Sequence, residues 1–172
     1  MNISDVQLKQ GDIFVTRNPM ALGRAINFVQ KIWSFDNEST YSHAGIIISP
    51  YGDTLESLST IKSQKIAQSY AGKNILIGRH IDMTYKNFLT GFRSVRKLRG
   101  SWYPFHRLPL FIIPPLAKYV HTGRFLVCSE LVDKFLWNAG VAQAFYKGRN
   151  PDHIADMIKR WKGWATVFEG KV

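Results

Sequence analysis

A chain of 172 residues with 45% hydrophobic and 13% aromatic content is long enough to bury its own core, suits a single domain over 1–172, and is too apolar for a disordered or collagen-like polymer. Its single cysteine excludes an internal disulfide and any cysteine-based zinc cluster. The formal charge of +11, from 23 basic and 12 acidic residues, predicts attraction to polyanions such as nucleic acid, anionic lipid or an anionic cell-wall polymer.

Residues 1–10 hold no basic stretch followed by an apolar one, so no signal peptide is expected. The corresponding location is cytoplasmic, or outside after lysis or delivery, as for a phage-associated protein. Residues 11–17 are bounded by Gly11 and rich in β-branched and aromatic side chains, which reads as a first strand. Asn18 and Pro19 then open a helix to residue 33, with Leu22, Ile26, Val29 and Trp33 as its apolar stripe. A polar loop over 34–40 leads into a strand at 42–49, a turn at 50–53 and a second strand at 54–59. Residues 60–73 read as a polar connection, and 74–79 as a further strand of an antiparallel sheet.

Residues 83–98 have a helical pattern, and 99–124, with four prolines, read as a long excursion over the surface or along a groove. The apolar run within it, 108–120, is interrupted by prolines and a lysine and is too short to span a bilayer, so no integral membrane segment is expected. Arg93, Arg96, Lys97, Arg99 and Arg107 alternate with Phe92, Trp102, Tyr103 and Phe105. Such interleaving can bind single-stranded nucleic acid. The plainer reading is the solvated face of a helix followed by an aromatic loop.

The stretch 125–140 places Cys128 at the start of an amphipathic helix, in which Leu131, Val132, Phe135, Leu136 and Ala139 recur at helical spacing and Gly140 supplies a stop. Cys128 precedes the first two apolar positions by three and four residues, which turns its thiol toward the core side. At a helix N-terminus, unpaired N–H groups and the dipole favour a thiolate and can hold an oxyanion. The alternative is an inert buried cysteine. Asn150 and Pro151 open a last helix to residue 161, and 164–169 read as a closing strand.

A cysteine nucleophile needs a base, and the base needs an orienting group. His43 is the best-placed histidine, because it sits in an apolar strand where an imidazole is costly to bury without partners. Gly45, on the same face by strand alternation, leaves room beside the ring. Glu56 lies on the neighbouring strand. A hairpin turning at Tyr51 and Gly52 sets it opposite Ile47, about 13 Å along the strand from His43, with Thr60 opposite His43 instead. Glu56 can orient the ring only through another register or a bulge. Tyr41, two residues before His43 and so on its face by alternation, is a candidate to line the substrate site or supply a hydroxyl donor, with packing in the core as the plainer alternative. His80, His106, His121 and His153 read as surface or capping histidines.

Gly11-Asp12-Ile13 opening a strand, Ser42-His43-Ala44-Gly45-Ile46, Glu56 on the next strand and Val127-Cys128-Ser129-Glu130-Leu131-Val132 together resemble the YiiX-like branch of the NlpC-type papain-like cysteine peptidases. Members of that branch are circularly permuted, and the order His, acid, Cys is the order here. The resemblance implies an α+β, circularly permuted papain-like (NlpC-type) fold: an antiparallel sheet packed against helices, with the cysteine helix docked on the histidine strand. It implies Cys128 as nucleophile, His43 as general base and acid, and Glu56 as the orienting group. The implied activity is thiol-dependent hydrolysis of an amide or peptide bond, of the kind found in cell-wall peptides, through an acyl-enzyme. A lipid or protein acyltransferase using the same pair and a basic nucleic-acid-binding module with an inert cysteine are the alternatives. No metal or organic cofactor is expected, since no ligand cluster or phosphate loop stands at recognised spacing. The expected partners are a peptide or acyl-amide substrate and an anionic polymer on the basic surface.

Overall fold

The computed structural model describes residues 3–17, 41–102, 127–142 and 149–172. Six antiparallel strands form one sheet: β1 (Ile13–Thr16), β2 (His43–Ile47), β3 (Asp53–Ser57), β4 (Ile61–Lys65), β5 (Asn74–His80) and β6 (Trp164–Lys171), in the order β4-β3-β2-β1-β5-β6. The helices are α1 (Ile66–Ser69), α2 (Tyr85–Arg96), α3 (Cys128–Asn138) and α4 (Pro151–Arg160), preceded by a 3-10 turn at Ile3–Asp5.

The central strands read as continuous apolar runs because both of their faces are covered. Ile13, Val15, Ala44, Ile46, Leu55 and Leu76 pack under α2, α3 and α4. The intervening residues Phe14, Ile47, Ile75 and Ile77 pack on the opposite face against Leu8, Ile66, Tyr70 and Phe168. Two glycines set how closely the helices approach. A Cβ at Gly91 of α2 would stand 2.7 Å from the Phe135 carbonyl of α3, and one at Gly78 of β5 would stand 2.5 Å from Ile158 of α4. Asn150 caps α4, its Oδ1 accepting from His153 N–H at 2.8 Å, and Pro151 occupies the first turn.

The α+β architecture with an antiparallel sheet under helices is the one expected, and the Cys128 helix does pack on β2. The expected helix over 19–33 and most of the 99–124 excursion lie outside the described residues. Residues 60–73 differ from expectation: they contain edge strand β4 and one turn of helix. Ile61, Lys62, Ser63, Gln64 and Lys65 have the polar, lysine-bearing character of an edge strand, which blunts its open hydrogen-bonding side and hides it from an apolar-alternation reading. Asp12 of the Gly11-Asp12-Ile13 motif has a structural task. It is buried and accepts from Arg79 Nε at 2.7 Å and Nη2 at 2.8 Å, tying the entry of β1 to β5.

Candidate functional site

His43 is the first residue of β2, with Gly45 and Ile47 on its face by alternation. The hairpin that follows decides what stands beside it. The turn is Ser49-Pro50-Tyr51-Gly52, closed by Gly52 N–H donating to Ser49 O at 3.2 Å. Pro50 at the second position and Gly52, at φ 76°, at the fourth suit a type I turn. Ser49 Oγ reinforces it by accepting from the N–H groups of Tyr51 and Asp53. The chain therefore reverses one residue earlier than a turn at Tyr51 and Gly52 would allow. Thr54, not Glu56, pairs with Ile47, and Glu56 stands opposite Gly45.

This corrects the expected 13 Å gap. Glu56 Oε2 lies 2.7 Å from His43 Nε2, with no bulge between β2 and β3 needed to reach it. Thr60, the alternative orienting group, is instead bridged to Trp102. Gly45 is required at this register: a Cβ there would stand 2.5 Å from the Phe14 ring and 2.8 Å from Glu56 Cγ.

Glu56 is fully buried and accepts three further hydrogen bonds. Thr54 Oγ1 donates to Oε1, while Tyr70 O–H and, at 3.1 Å, Gln64 Nε2 donate to Oε2. Burial alone would raise its pKa, but the bonds and charge of His43, with the bonds from Thr54 and Tyr70, hold the carboxyl below the usual range. Burial and the nearby carboxylate push the Tyr70 phenol well above its ordinary value, so it remains a donor. Phe14 and Tyr70 wall the imidazole, with ring centroids 6.3 Å and 6.2 Å away.

Cys128 begins α3, whose apolar side seats Leu131, Val132, Phe135 and Leu136 in the core. Glu130 Oε2 reaches back to accept from Val127 N–H at 3.2 Å and fixes the helix entry. The first ladder bond of α3 is Leu131 N–H to Val127 O at 3.0 Å, so the N–H groups of Cys128 and Ser129 have no partner within the helix. Cys128 stands beside His43, close enough that its side chain and charge act on the imidazole. Nε2 of the ring faces Glu56. Burial would lower the imidazole pKa, but the side chains of Cys128 and Glu56, with the charges of both groups, outweigh it and push His43 up to about 10.

The structure thus brings Cys128, His43 and Glu56 together and does not add Tyr41 to them. Tyr41 is buried on the helix-covered side, with its N–H donating to Asp152 Oδ1 at 2.8 Å and its hydroxyl to Glu169 Oε1 at 3.4 Å. Burial, reinforced by Glu169, pushes its phenol up to about 12. The strand alternation expected to put Tyr41 on the His43 face does not apply, because β2 starts only at His43. Sequence reasoning missed Thr54, Gln64 and Tyr70. Thr54 had a usable signal, two residues before Glu56 on one strand face; Gln64 and Tyr70 arrive through β4 and α1, which the pattern did not reveal.

Among the described residues no three His, Cys, Asp or Glu side chains are grouped to hold a metal ion. The Glu56 oxygens and His43 Nε2 are already committed to each other and to Thr54, Gln64 and Tyr70. Also among the described residues, no helix is long and apolar enough to cross a membrane.

No protein-family model matches the sequence, and no curated protein matches it significantly. Among solved structures the chain is similar to the crystal structure of metalloprotein yiiX from Escherichia coli O157:H7, DUF1105, at 16% identity and a TM-score of 0.64, covering 96% of this chain and 99% of that one. The likeness shows a YiiX-like fold.

Proposed function

We propose that the chain is a thiol-dependent hydrolase with a circularly permuted papain-like arrangement, cleaving an amide or peptide bond through an acyl-enzyme on Cys128. The observation that carries this reading is one buried imidazole bonded to a saturated carboxylate and standing beside the only cysteine of the sequence. A carboxylate that merely filled space would not need four donors, and an inert cysteine would not need a histidine held in place by one.

The Cys128 sulfur attacks the substrate carbonyl carbon, and the carbonyl electrons move onto oxygen, which the first-turn N–H groups of α3 stabilise. His43 passes its proton to the leaving amine as the C–N bond breaks, leaving a thioester on sulfur. Neutral His43 then takes a proton from water, the hydroxyl adds to the thioester carbon, and collapse releases the carboxylic acid and restores the thiol. Glu56 keeps the ring orientation through both half-reactions, as an acid partner does in other nucleophile–imidazole systems. The family resemblance points to a cell-wall-type peptide as substrate.

The test is intact-mass analysis of the protein mixed with muropeptides. Expected are cleaved product and, on rapid quench, an acyl adduct on Cys128, both absent in Cys128→Ala and His43→Ala. Cleavage that survives Cys128→Ala would refute the mechanism, and absence of both adduct and product across amide substrates would refute the activity.

A further inference from the structure

Lys86, Arg93, Arg96, Lys97 and Arg99 fall in a stretch, 86–102, with no acidic residue. All five are exposed, and none belongs to an ion pair with a carboxylate among the described residues. Helical spacing puts Lys86, Arg93 and Lys97 in one outward stripe, opposite the buried positions Phe88, Gly91 and Val95 that seat α2 on α3. Tyr85, Leu89, Phe92 and Arg96 run along the adjoining flank.

That flank is apolar and incompletely covered. Tyr85 stacks on Phe88 yet stays 64% exposed, and Leu89 and Phe92 are half-buried. At the two ends of the helix stand Ile81, 72% exposed, and Trp102, 70% exposed. A solvated helix face has no use for large apolar side chains at both ends, whereas a row of cations beside an apolar flank is the pattern of a surface lying in a lipid interface. Stacking on nucleic-acid bases would use the aromatic rings but not Ile81 and Leu89, which have no flat face.

We propose that α2 and its flanking turns dock on an anionic lipid bilayer, the cations over the headgroup phosphates and Ile81, Tyr85 and Trp102 entering the interface. The orientation has a consequence for the thiol. Asn87 Nδ2 donates to Ala139 O at 2.7 Å and Gly91 abuts Phe135, so α2 and α3 run antiparallel. The end of α2 bearing Arg96, Lys97 and Arg99 therefore lies toward the Cys128 end of α3, and docking brings that end toward the bilayer. The docking stands independently of the hydrolase reading, because Cys128 takes no part in it.

The experiment is co-sedimentation with vesicles of phosphatidylcholine alone or with about 30% phosphatidylglycerol, using the wild-type chain and Cys128→Ala. Both should bind the anionic vesicles at least about tenfold more tightly than the neutral ones, with affinity falling as salt rises. Each cation over a headgroup contributes roughly fivefold, so Arg93→Gln/Arg96→Gln should lose about tenfold or more. Ile81→Ser/Tyr85→Ser should keep the low-salt binding and lose the part that survives high salt. Circular dichroism checks folding, and Lys97→Gln/Arg99→Gln replaces the first pair should that variant misfold. Equal binding to both vesicles, no binding, or indifference to the charge variants would overturn the proposal. So would an oligonucleotide binding more tightly than anionic vesicles while Ile81→Ser/Tyr85→Ser changes nothing, an outcome that marks a nucleic-acid surface.

Discussion

Glu56 and Asp133 are both carboxylates buried in the same domain beside a basic group from another part of the chain, and their pKa values move in opposite directions. Glu56 has His43 at 2.7 Å and three more donors, from Thr54, Tyr70 and Gln64. Asp133 has Arg149 Nη1 at 2.9 Å on Oδ1, and its Oδ2 has no hydrogen-bond partner. Burial penalises the charge at both. At Glu56 the donors outweigh it and the carboxyl stays below its usual range. At Asp133 desolvation outweighs the pull of Arg149, the charge of Glu130 adds to it, and the carboxyl rises to about 7. A cation nearby does not by itself hold a buried carboxyl at a low pKa; the number of hydrogen bonds decides. The saturated carboxylate is the one that holds the histidine.

The sharpest test of that contrast is reactivity. Glu56→Gln should slow turnover, and iodoacetamide alkylation of Cys128 at neutral pH, by about 10²–10⁴-fold, because an amide cannot hold the ring in the same protonation state and orientation. Asp133→Asn should change both rates only a few-fold; equal losses in the two variants would break the comparison. Stability follows. Glu56→Ala strands His43, Thr54, Tyr70 and Gln64 and should cost about 3–5 kcal/mol in urea unfolding, whereas the joint change Asp133→Leu/Arg149→Met should be close to neutral or stabilising.

The pH dependence should separate them next. The raised Asp133 pKa contributes stability that is complete below the ordinary 3.8 and lost as pH rises to about 7, at up to about 1.4 kcal/mol per pH unit. The lowered Glu56 pKa works oppositely: its contribution is present above 4.5 and lost on acidification. His43 contributes fully below 6.5 and loses its part as pH rises through about 10. Unfolding of Asp133→Asn should therefore be flatter than wild type between pH 4 and 7 and parallel to it above pH 8. Gly45→Ala should cost about 1–3 kcal/mol by overpacking against Phe14 and Glu56, and should slow alkylation as well. The smallest effect expected is about 1 kcal/mol for Asn150→Ala, which removes the cap of α4 without touching either carboxylate.

Much of this was legible residue by residue. The apolar runs of β1, β2 and β5, the amphipathic pattern after Cys128 and the Asn-Pro start of α4 are local signals, and the structure follows them. The register of β2 against β3 was legible too, in Ser49-Pro50-Tyr51-Gly52, but only when the turn geometry is worked out: a shift of one residue at the turn moves every cross-strand partner by two. Tyr41 was misplaced because strand alternation was applied to a residue outside the strand. Edge strand β4 and helix α1 escaped notice because their polar residues satisfy no apolar period.

Local chemistry within the chain was sufficient for most of the elements, for placing the thiol at a helix N-terminus and for singling out His43, since each depends on neighbours a few residues away. Only the folded arrangement decided that Tyr70 and Gln64 come to saturate Glu56 and that Asp133 keeps a proton-hungry oxygen. Those outcomes depend on hydrogen bonds between groups distant along the chain, and burial makes each such bond, or its absence, count for far more than it would in water.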